Sequence, residues 1–144
     1  MYTKTILHCA IVALIAGVMI GCASTPTPQS PAPTGVLVEY KRTGGIAGFN
    51  DHLSINADGK TTLTRRIGNF EFTITPEQIK QIQSVFDLAK FTTLQEPASR
   101  LLVPDELSYV ITYQGKAYRT SDTRLVNEIQ PVMTLLNSIV DSKK

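Results

Sequence analysis

Apolar and polar residues alternate in several short segments between residues 36 and 120, and this two-residue period is typical of β-strands with one buried face. Over residues 36–42, the side that would be buried carries Val36, Val38 and Tyr40. Two further segments alternate in the same way, one through Phe70, Phe72 and Ile74 and the other through Leu107, Tyr109, Ile111 and Tyr113. A two-residue Gln114-Gly115 turn should then return the chain over residues 116–120, with Tyr118 opposite Ile111.

Two more predicted strands, residues 51–56 and 60–67, flank the tripeptide Ala57-Asp58-Gly59. A two-residue Asp58-Gly59 turn would place Leu53 opposite Thr64, and the apolar residues of the two strands would then face opposite sides. A three-residue turn with a left-handed Gly59 shifts the register by one residue. The shifted register has three pairings: Leu53 with Leu63, Phe49 with Ile67, and Asp51 with Arg65. Because it gives the hairpin one apolar face, we predict this turn and an Asp51–Arg65 pair.

Two segments repeat apolar residues at the spacing of an amphipathic helix. The first begins at Thr75, a predicted N-cap; Pro76 suits the first helical position, and Gln78 is placed to complete a capping box. This helix should run to about Lys90. The second carries on one side Leu125, Ile129, Val132, Leu136 and Ile139 or Val140. Pro131 is harmless there if the helix begins near Asn127, where the first N–H groups are unpaired in any case, and otherwise it kinks the helix.

The order of predicted elements is four strands, a helix, two strands and a helix. Hairpin connections predominate, which favours antiparallel pairing. We therefore predict an α+β fold with a mainly antiparallel sheet of five to six strands and two helices packed on one face.

The N-terminal segment has a different pattern, because residues 5–20 are almost wholly apolar and follow a single basic residue, Lys4. This layout is typical of a secretory signal, and the stretch is shorter than the roughly 20 residues of a transmembrane helix. It ends in Met19-Ile20-Gly21-Cys22, which resembles a bacterial lipobox. The resemblance implies that residues 1–21 are a lipoprotein signal peptide and that Cys22 is lipidated after cleavage. An ordinary signal peptide with a chance cysteine is the alternative.

Composition defines a linker after Cys22. Four of the eight prolines lie within residues 23–35, and none of these residues is both large and apolar. Such a segment cannot bury a core and favours an extended, semi-rigid spacer. We therefore divide the chain into the signal peptide (1–21), the lipidated Cys22 with its Pro/Ser/Thr-rich linker (22–35) and one α+β domain (36–144). The expected location is the cell membrane or outer membrane, with the lipid-anchored domain facing the periplasm or the exterior.

The net charge and the cysteine content limit the kinds of binding site that we expect in the domain. Removal of residues 1–21 takes Lys4 from the 14 basic residues, which leaves 13 against 12 acidic residues. A near-neutral domain is not expected to bind nucleic acid, which requires phosphate neutralisation. The processed chain would keep Cys22 and His52 but no other cysteine or histidine. We therefore expect no disulfide within the monomer, no His- or Cys-based metal site and no cofactor.

Candidate catalytic residues are few, and the domain is not expected to be an enzyme. His52 and Asp51 are adjacent in a predicted strand, so their side chains should point to opposite faces and His52 should lie at the surface. Asp105 and Glu106 are expected to be solvated at a strand start, although they could pair as acids. Three tyrosines could form either part of the core or an exposed binding stripe: Tyr109, Tyr113 and Tyr118.

One run of residues carries a family resemblance: Thr43-Gly44-Gly45-Ile46-Ala47-Gly48-Phe49. Together with shorter matches it resembles the emfourin family, which is named for inhibitors of protealysin, a thermolysin-like zinc metallopeptidase. The shorter matches are the Asp58-Gly59 hairpin, Ile79, Phe86, Ala89 to Phe91, Leu94, Asp105, Tyr109, Ile111, Asp122 and Ile129 to Val132. The resemblance covers most of residues 36–140 and implies a small non-catalytic α+β domain that blocks a peptidase cleft.

The resemblance also directs attention to one loop as the partner-binding segment, since exposed loops on rigid scaffolds commonly carry binding function. Its residues are Gly44, Gly45, Ile46, Ala47, Gly48, Phe49 and Asn50. A purely structural loop, in which the glycines permit a tight crossing of the sheet, is the alternative. The expected partners are a membrane, through the lipid on Cys22, and a secreted metallopeptidase. The alternative function is a structural or ligand-binding envelope lipoprotein without inhibitory activity.

Overall fold

The computed structural model describes residues 35–98, 103 and 105–143 of the chain. The predicted signal peptide, Cys22 and the linker as far as residue 34 lie outside these residues. Lipidation of Cys22 and the boundaries of those two segments therefore stay predictions.

Within the described residues, six strands form one antiparallel sheet in the order β4-β3-β2-β1-β5-β6. The strands are β1 (Val36–Gly44), β2 (Phe49–Asn56), β3 (Lys60–Arg65), β4 (Gly68–Thr73), β5 (Leu107–Tyr113) and β6 (Lys116–Ser121). Helix α1 (Pro76–Leu88) separates β4 from β5, and helix α2 (Gln130–Asp141) follows β6. This architecture confirms the predicted α+β class.

Both helices pack on the same face of the sheet. The Tyr40 hydroxyl of β1 donates a hydrogen bond to Asn137 Oδ1 of α2 over 2.7 Å. The Phe86 ring of α1 stacks on Tyr113 of β5 with 4.3 Å between ring centroids. The core between sheet and helices includes Tyr109, Tyr113 and Tyr118, all buried. These tyrosines are therefore core residues and do not form an exposed stripe.

The buried face selects the register of the β2–β3 hairpin as predicted. Leu53 pairs with Leu63, and Gly59 adopts a left-handed conformation with φ of 88°. A Cβ on Gly59 would lie 2.3 Å from the Ile74 carbonyl oxygen, so this position requires glycine for space as well as for conformation. The short turn at Gln114 and Gly115 is also confirmed, since Tyr118 pairs with Ile111.

The capping box of α1 is present. Gln78 N donates to Thr75 Oγ1 over 3.3 Å, and Thr75 N donates to Gln78 Oε1 over 2.9 Å. The helix ends at Leu88, slightly before the predicted Lys90, because Lys90 adopts a left-handed conformation with φ of 49°. Helix α2 begins at Gln130 after a single 3₁₀ turn at Asn127–Ile129, and Pro131 lies in its first turn, where a missing N–H costs no hydrogen bond.

Two apolar residues assigned to buried positions by alternation are exposed. Val36 is 56% exposed because the β1–β2 register shifts between Val36 and Val38. Ile67 is 68% exposed because β3 ends at Arg65 and the chain reverses through Arg66 and Ile67. The predicted pairing of Phe49 with Ile67 is therefore wrong.

Candidate functional site

The 44–50 segment, named here the glycine loop, connects β1 to β2 at one end of the sheet. We call this end the loop end; β1, β3 and β6 finish there, and β2, β4 and β5 begin there. Gly48 N donates to the Gly45 carbonyl over 2.9 Å, and Gly45 N donates to the Glu106 carbonyl over 3.2 Å. The loop is thus a hydrogen-bonded turn that is also tied to the start of β5.

Position 44 requires glycine for a steric reason as well as a conformational one. Gly44 has φ of 90°, and a Cβ there would lie 2.6 Å from the Glu106 carbonyl oxygen. At Gly48 the backbone conformation alone demands glycine, because φ is 62° while the nearest atom to a Cβ is the flexible Arg66 side chain at 3.4 Å. The glycines therefore do fix the turn, as the structural alternative holds.

The tip of the glycine loop presents a large apolar side chain to solvent. Ile46 is 92% exposed, and Ala47 beside it is exposed as well. The turn needs no large side chain at this point, because its conformation is set by the flanking glycines and its backbone hydrogen bonds. The exposed Ile46 is the part of the loop that the structural alternative leaves unexplained.

The base of the loop is a network of charged residues that we call the arginine cluster: Arg42 and Asp51, which are buried, Arg65, which is half-buried, and Asp141, which is exposed. Arg42 Nε and Nη2 donate to Asp51 Oδ2 over 2.9 and 2.6 Å, and Arg42 Nη2 also donates to Asp141 Oδ1 over 2.9 Å. The predicted Asp51–Arg65 ion pair is present, with Arg65 Nε 3.2 Å from Asp51 Oδ1. Burial of Arg42 was not predicted, although its position two residues after Tyr40 places it on the buried side of β1.

Several further contacts fix the Arg42 guanidinium. Arg42 Nη1 donates to Asn137 Oδ1 over 3.0 Å, and the guanidinium carbon lies 4.5 Å from the centre of the Phe49 ring. Burial acts to lower the pKa of Arg42, but its hydrogen bonds to Asp141 and Asp51 outweigh that effect and raise the pKa above its usual value. The cation therefore stays charged and holds Phe49, the first residue of β2, against the base of the loop.

Arg65 connects the same cluster to the end of α2. Its Nη1 donates to the carbonyls of Lys143 over 2.6 Å and Val140 over 3.4 Å. A cation beside the last carbonyls of a helix satisfies their unpaired acceptors and opposes the negative end of the helix dipole. The loop end thus has a rigid base in which β1, β2, β3 and α2 are joined.

Glu106 differs from its expected solvated state. It is buried and accepts hydrogen bonds from the hydroxyls of Ser121 and Thr123, and Arg124 Nε lies 3.8 Å from its Oε1. The hydrogen bonds from Ser121 and Thr123 lower the pKa of Glu106, so it is ionised at neutral pH. Asp105 is exposed with φ of 64°, and the two acids do not act as a pair. These bonds hold Glu106 in place directly before β5. Its own carbonyl is the acceptor of the hydrogen bond from Gly45 N.

A second turn lies beside the glycine loop and was missed as part of the site. Arg66 and Ile67 connect β3 to β4, and Arg66 Nη1 donates to the Ala47 carbonyl over 3.2 Å. A groove of about 210 Å³ runs between the two turns. The sequence did hold a signal, because Gly68 directly follows Ile67 and glycine is one of the strongest markers of an interruption in regular structure.

The other predicted candidates do not gather at the loop end. His52 faces away from Asp51 as expected but is half-buried, and its Nε2 has no hydrogen-bond partner among the described residues. No group of three or more metal-ligating side chains occurs among the residues that the structure describes. Across the same residues, none of the helices has the length and apolar character needed to cross a bilayer.

Comparison of the chain with protein-family models, with curated proteins and with solved structures found no match. The resemblance to the emfourin family therefore stays a prediction, and the function is inferred from the geometry of the loop end.

Proposed function

We propose that the chain is a membrane-anchored envelope lipoprotein whose domain binds a protein and has no catalytic activity of its own. We further propose that this domain inhibits a thermolysin-like, protealysin-type metallopeptidase by blocking its cleft. The observation that carries the proposal is Ile46, a large aliphatic side chain 92% exposed at the tip of a turn whose base is rigid.

Rigidity of the base supports inhibition by blocking. A loop that is already ordered loses little conformational entropy when it enters a cleft, so more of the contact energy appears as affinity. The bonds from Arg42 to Asp51 and from Gly45 to Glu106 order both sides of the glycine loop before any partner arrives. An apolar residue at its tip can fill a pocket, which is the usual form of a dominant contact.

The test is inhibition of a thermolysin-like peptidase by the full chain in a non-denaturing detergent, with a peptide substrate. We expect inhibition at micromolar concentration or below, and a loss of about tenfold or more in Ile46→Ala. Leu88→Ala is the matched control, because Leu88 is 81% exposed on α1, whose Phe86 packs on Tyr113 at the opposite end of β5. Absence of inhibition by the unmodified chain at micromolar concentration would show that the proposal is wrong.

The lipid anchor requires its own test. Metabolic labelling with a radioactive fatty acid should mark the chain, and Cys22→Ala should abolish the label and leave the chain unprocessed or released. Cys9→Ala is the control, since Cys9 lies in the segment that cleavage would remove. A Cys22→Ala chain that is still labelled and processed would contradict the anchor.

A second candidate function, a ligand-binding envelope lipoprotein, is favoured by one cavity between β4, α1 and α2. Its volume of about 350 Å³ lies at the lower end of the range for small-molecule sites. Five of its eleven lining residues are apolar, Phe72, Ile74, Ile82, Leu135 and Ile139, and the other six are polar or charged. Saturable binding of anilinonaphthalene sulfonate, lost when Ser138 at this cavity is replaced by tryptophan, would support this function.

A further inference from the structure

We propose that the glycine loop and the β3–β4 turn form one contact surface, the two-turn surface (Ile46, Ala47, Arg66 and Ile67), which docks a protein that offers a carboxylate between two apolar pockets. This inference rests on the proposed function, and the partner is the same metallopeptidase. It adds the β3–β4 turn to the site and assigns the chemistry of the partner's surface.

The first observation is that the two turns are physically joined. Arg66 Nη1 donates to the Ala47 carbonyl across the gap, and residues of both turns line the groove of about 210 Å³ between them. Gly48 lies directly under Arg66, since a Cβ there would be 3.4 Å from Arg66 Nη1. A partner that covers Ile46 therefore meets the β3–β4 turn beside it.

The second observation is the exposure of the two isoleucines. Ile46 is 92% exposed and Ile67 is 68% exposed, one on each turn. Neither side chain supports the core, so both are available for burial by a partner. Two separate aliphatic anchors on either side of a groove require two apolar pockets in the opposing surface.

The third observation is the charge between these anchors. Four arginines lie at the loop end: Arg42 and Arg65 both bond to Asp51, and Arg124 lies against Glu106, which leaves Arg66. Arg66 is exposed and makes no ion pair with any residue that the structure describes. Its guanidinium is already oriented by the Ala47 carbonyl and keeps free donors for a second acceptor. Charge complementarity therefore points to a carboxylate on the partner between the two pockets.

The experiment measures inhibition constants of full-chain variants, in detergent, against the peptidase that the unmodified chain inhibits. We expect Ile67→Ala to weaken inhibition about tenfold and Arg66→Glu to weaken it by more, since like charges would then face each other. Arg66→Glu should also reverse the salt dependence of association, because added salt would then screen a repulsion where it screens an attraction in the unmodified chain. The controls are Leu88→Ala for the apolar contact and Lys80→Glu for the charge reversal, both exposed on α1 and both expected to stay within about twofold.

The outcomes separate the two levels of inference. If Ile46→Ala loses inhibition while Ile67→Ala and Arg66→Glu stay within about twofold of the unmodified chain, the proposed function stands and the two-turn surface is wrong. If the unmodified chain does not inhibit the peptidase, the proposed function is wrong and the two-turn surface, which rests on it, is wrong as well. A dimer that Ile67→Ala and Arg66→Glu dissociate without any change in inhibition would assign the surface to self-association and overturn the proposal.

Discussion

The base and the tip of the β1–β2 hairpin show opposite arrangements of charge and apolar surface. At the base, Arg42 and Asp51 are buried, with 6% and 4% of their surfaces exposed. At the tip, four residues after Arg42, Ile46 is almost fully exposed. The usual distribution, apolar inside and charged outside, is inverted within one hairpin.

The base and the tip of the hairpin therefore differ in their contribution to the fold. Buried charges are tolerated when each is paired and hydrogen-bonded, and the arginine cluster meets this condition through Asp51, Asp141 and Asn137. The base therefore holds β1, β2 and α2 in one arrangement. The tip contributes nothing comparable to the fold, and the proposed function assigns its apolar side chain to contact with a partner.

The largest effect is expected from Arg42→Met, which leaves the buried Asp51 with Arg65 as its remaining ion-pair partner. Loss of one member of a buried pair typically costs about 3 to 5 kcal/mol, and we expect a fall of about 3 kcal/mol in the free energy of unfolding. Urea denaturation followed by circular dichroism measures it. Arg66→Met is the matched control at the same end of the sheet, with an expected change within about 0.5 kcal/mol. Equal effects of the two substitutions would contradict the claim that the buried base stabilises the fold more than the exposed residues of the turns do.

A smaller effect is expected from Gly44→Ala at the junction of base and tip. The positive φ and the approach of a Cβ to the Glu106 carbonyl should together lower the free energy of unfolding by about 2 kcal/mol. Gly115→Ala is the control, because its φ of 77° is similar and no atom lies within 4 Å of the added Cβ. The control should lower the free energy of unfolding by about 1 kcal/mol. If it lowers that free energy as much as Gly44→Ala does, the approach to the Glu106 carbonyl does not contribute to the destabilisation.

Glu106, whose carbonyl accepts the hydrogen bond from Gly45 N, gives the loop end a pH dependence that the uncharged tip lacks. Because hydrogen bonds from Ser121 and Thr123 lower the pKa of Glu106, its contribution to stability is complete above the ordinary pKa of a glutamate carboxyl, which applies to the unfolded chain. This contribution is lost as the pH falls through the lowered folded-state pKa. Melting temperatures measured from about pH 7 down to about pH 3 should therefore fall less steeply in Glu106→Gln than in the unmodified chain. Ser121→Ala should show the same flattening, and an unchanged pH profile in both variants would contradict this role.

The smallest effect on stability is expected at the tip. Ile46→Ala should change the free energy of unfolding by no more than about 0.5 kcal/mol, because the side chain buries almost nothing in the fold. Leu88→Ala should cause a similarly small change in the free energy of unfolding in the same urea titration. A loss above about 1 kcal/mol in Ile46→Ala alone would show that the tip is structural and would weaken the case for a binding role.

Alternation and turn chemistry were enough to predict most of the fold. Leu53 and Leu63 had to share a face, which selected the three-residue turn at Gly59 and with it the Asp51–Arg65 pair. Thr75 and Gln78 marked the start of α1 for an equally local reason, since the side chain of each accepts a hydrogen bond from the backbone N–H of the other. The glycine loop was also found by its residues alone.

The same local rules failed at two positions, Ile67 because of a local chain reversal and Glu106 because of a distant element. Alternation assigned Ile67 to the core, but the reversal of the chain before β4 removes it from the sheet. Glu106 was expected in solvent, yet hydroxyls from the end of β6 and the turn after it surround its carboxylate.

The sequence by itself determined the order of the elements, the register of its hairpins, the cap of α1 and the glycine-rich turn, because each depends on neighbours in the chain or on one buried face. Tertiary structure decided that Arg42 is buried, since its partners Asn137 and Asp141 are 95 and 99 residues away. It also decided that Arg66 and Ile67 stand beside Ile46, because β2 and β3 bring the two turns to the same end of the sheet. Long-range pairing of charges and the meeting of separate turns depend on how the strands are ordered in space, and no local period in the chain encodes that.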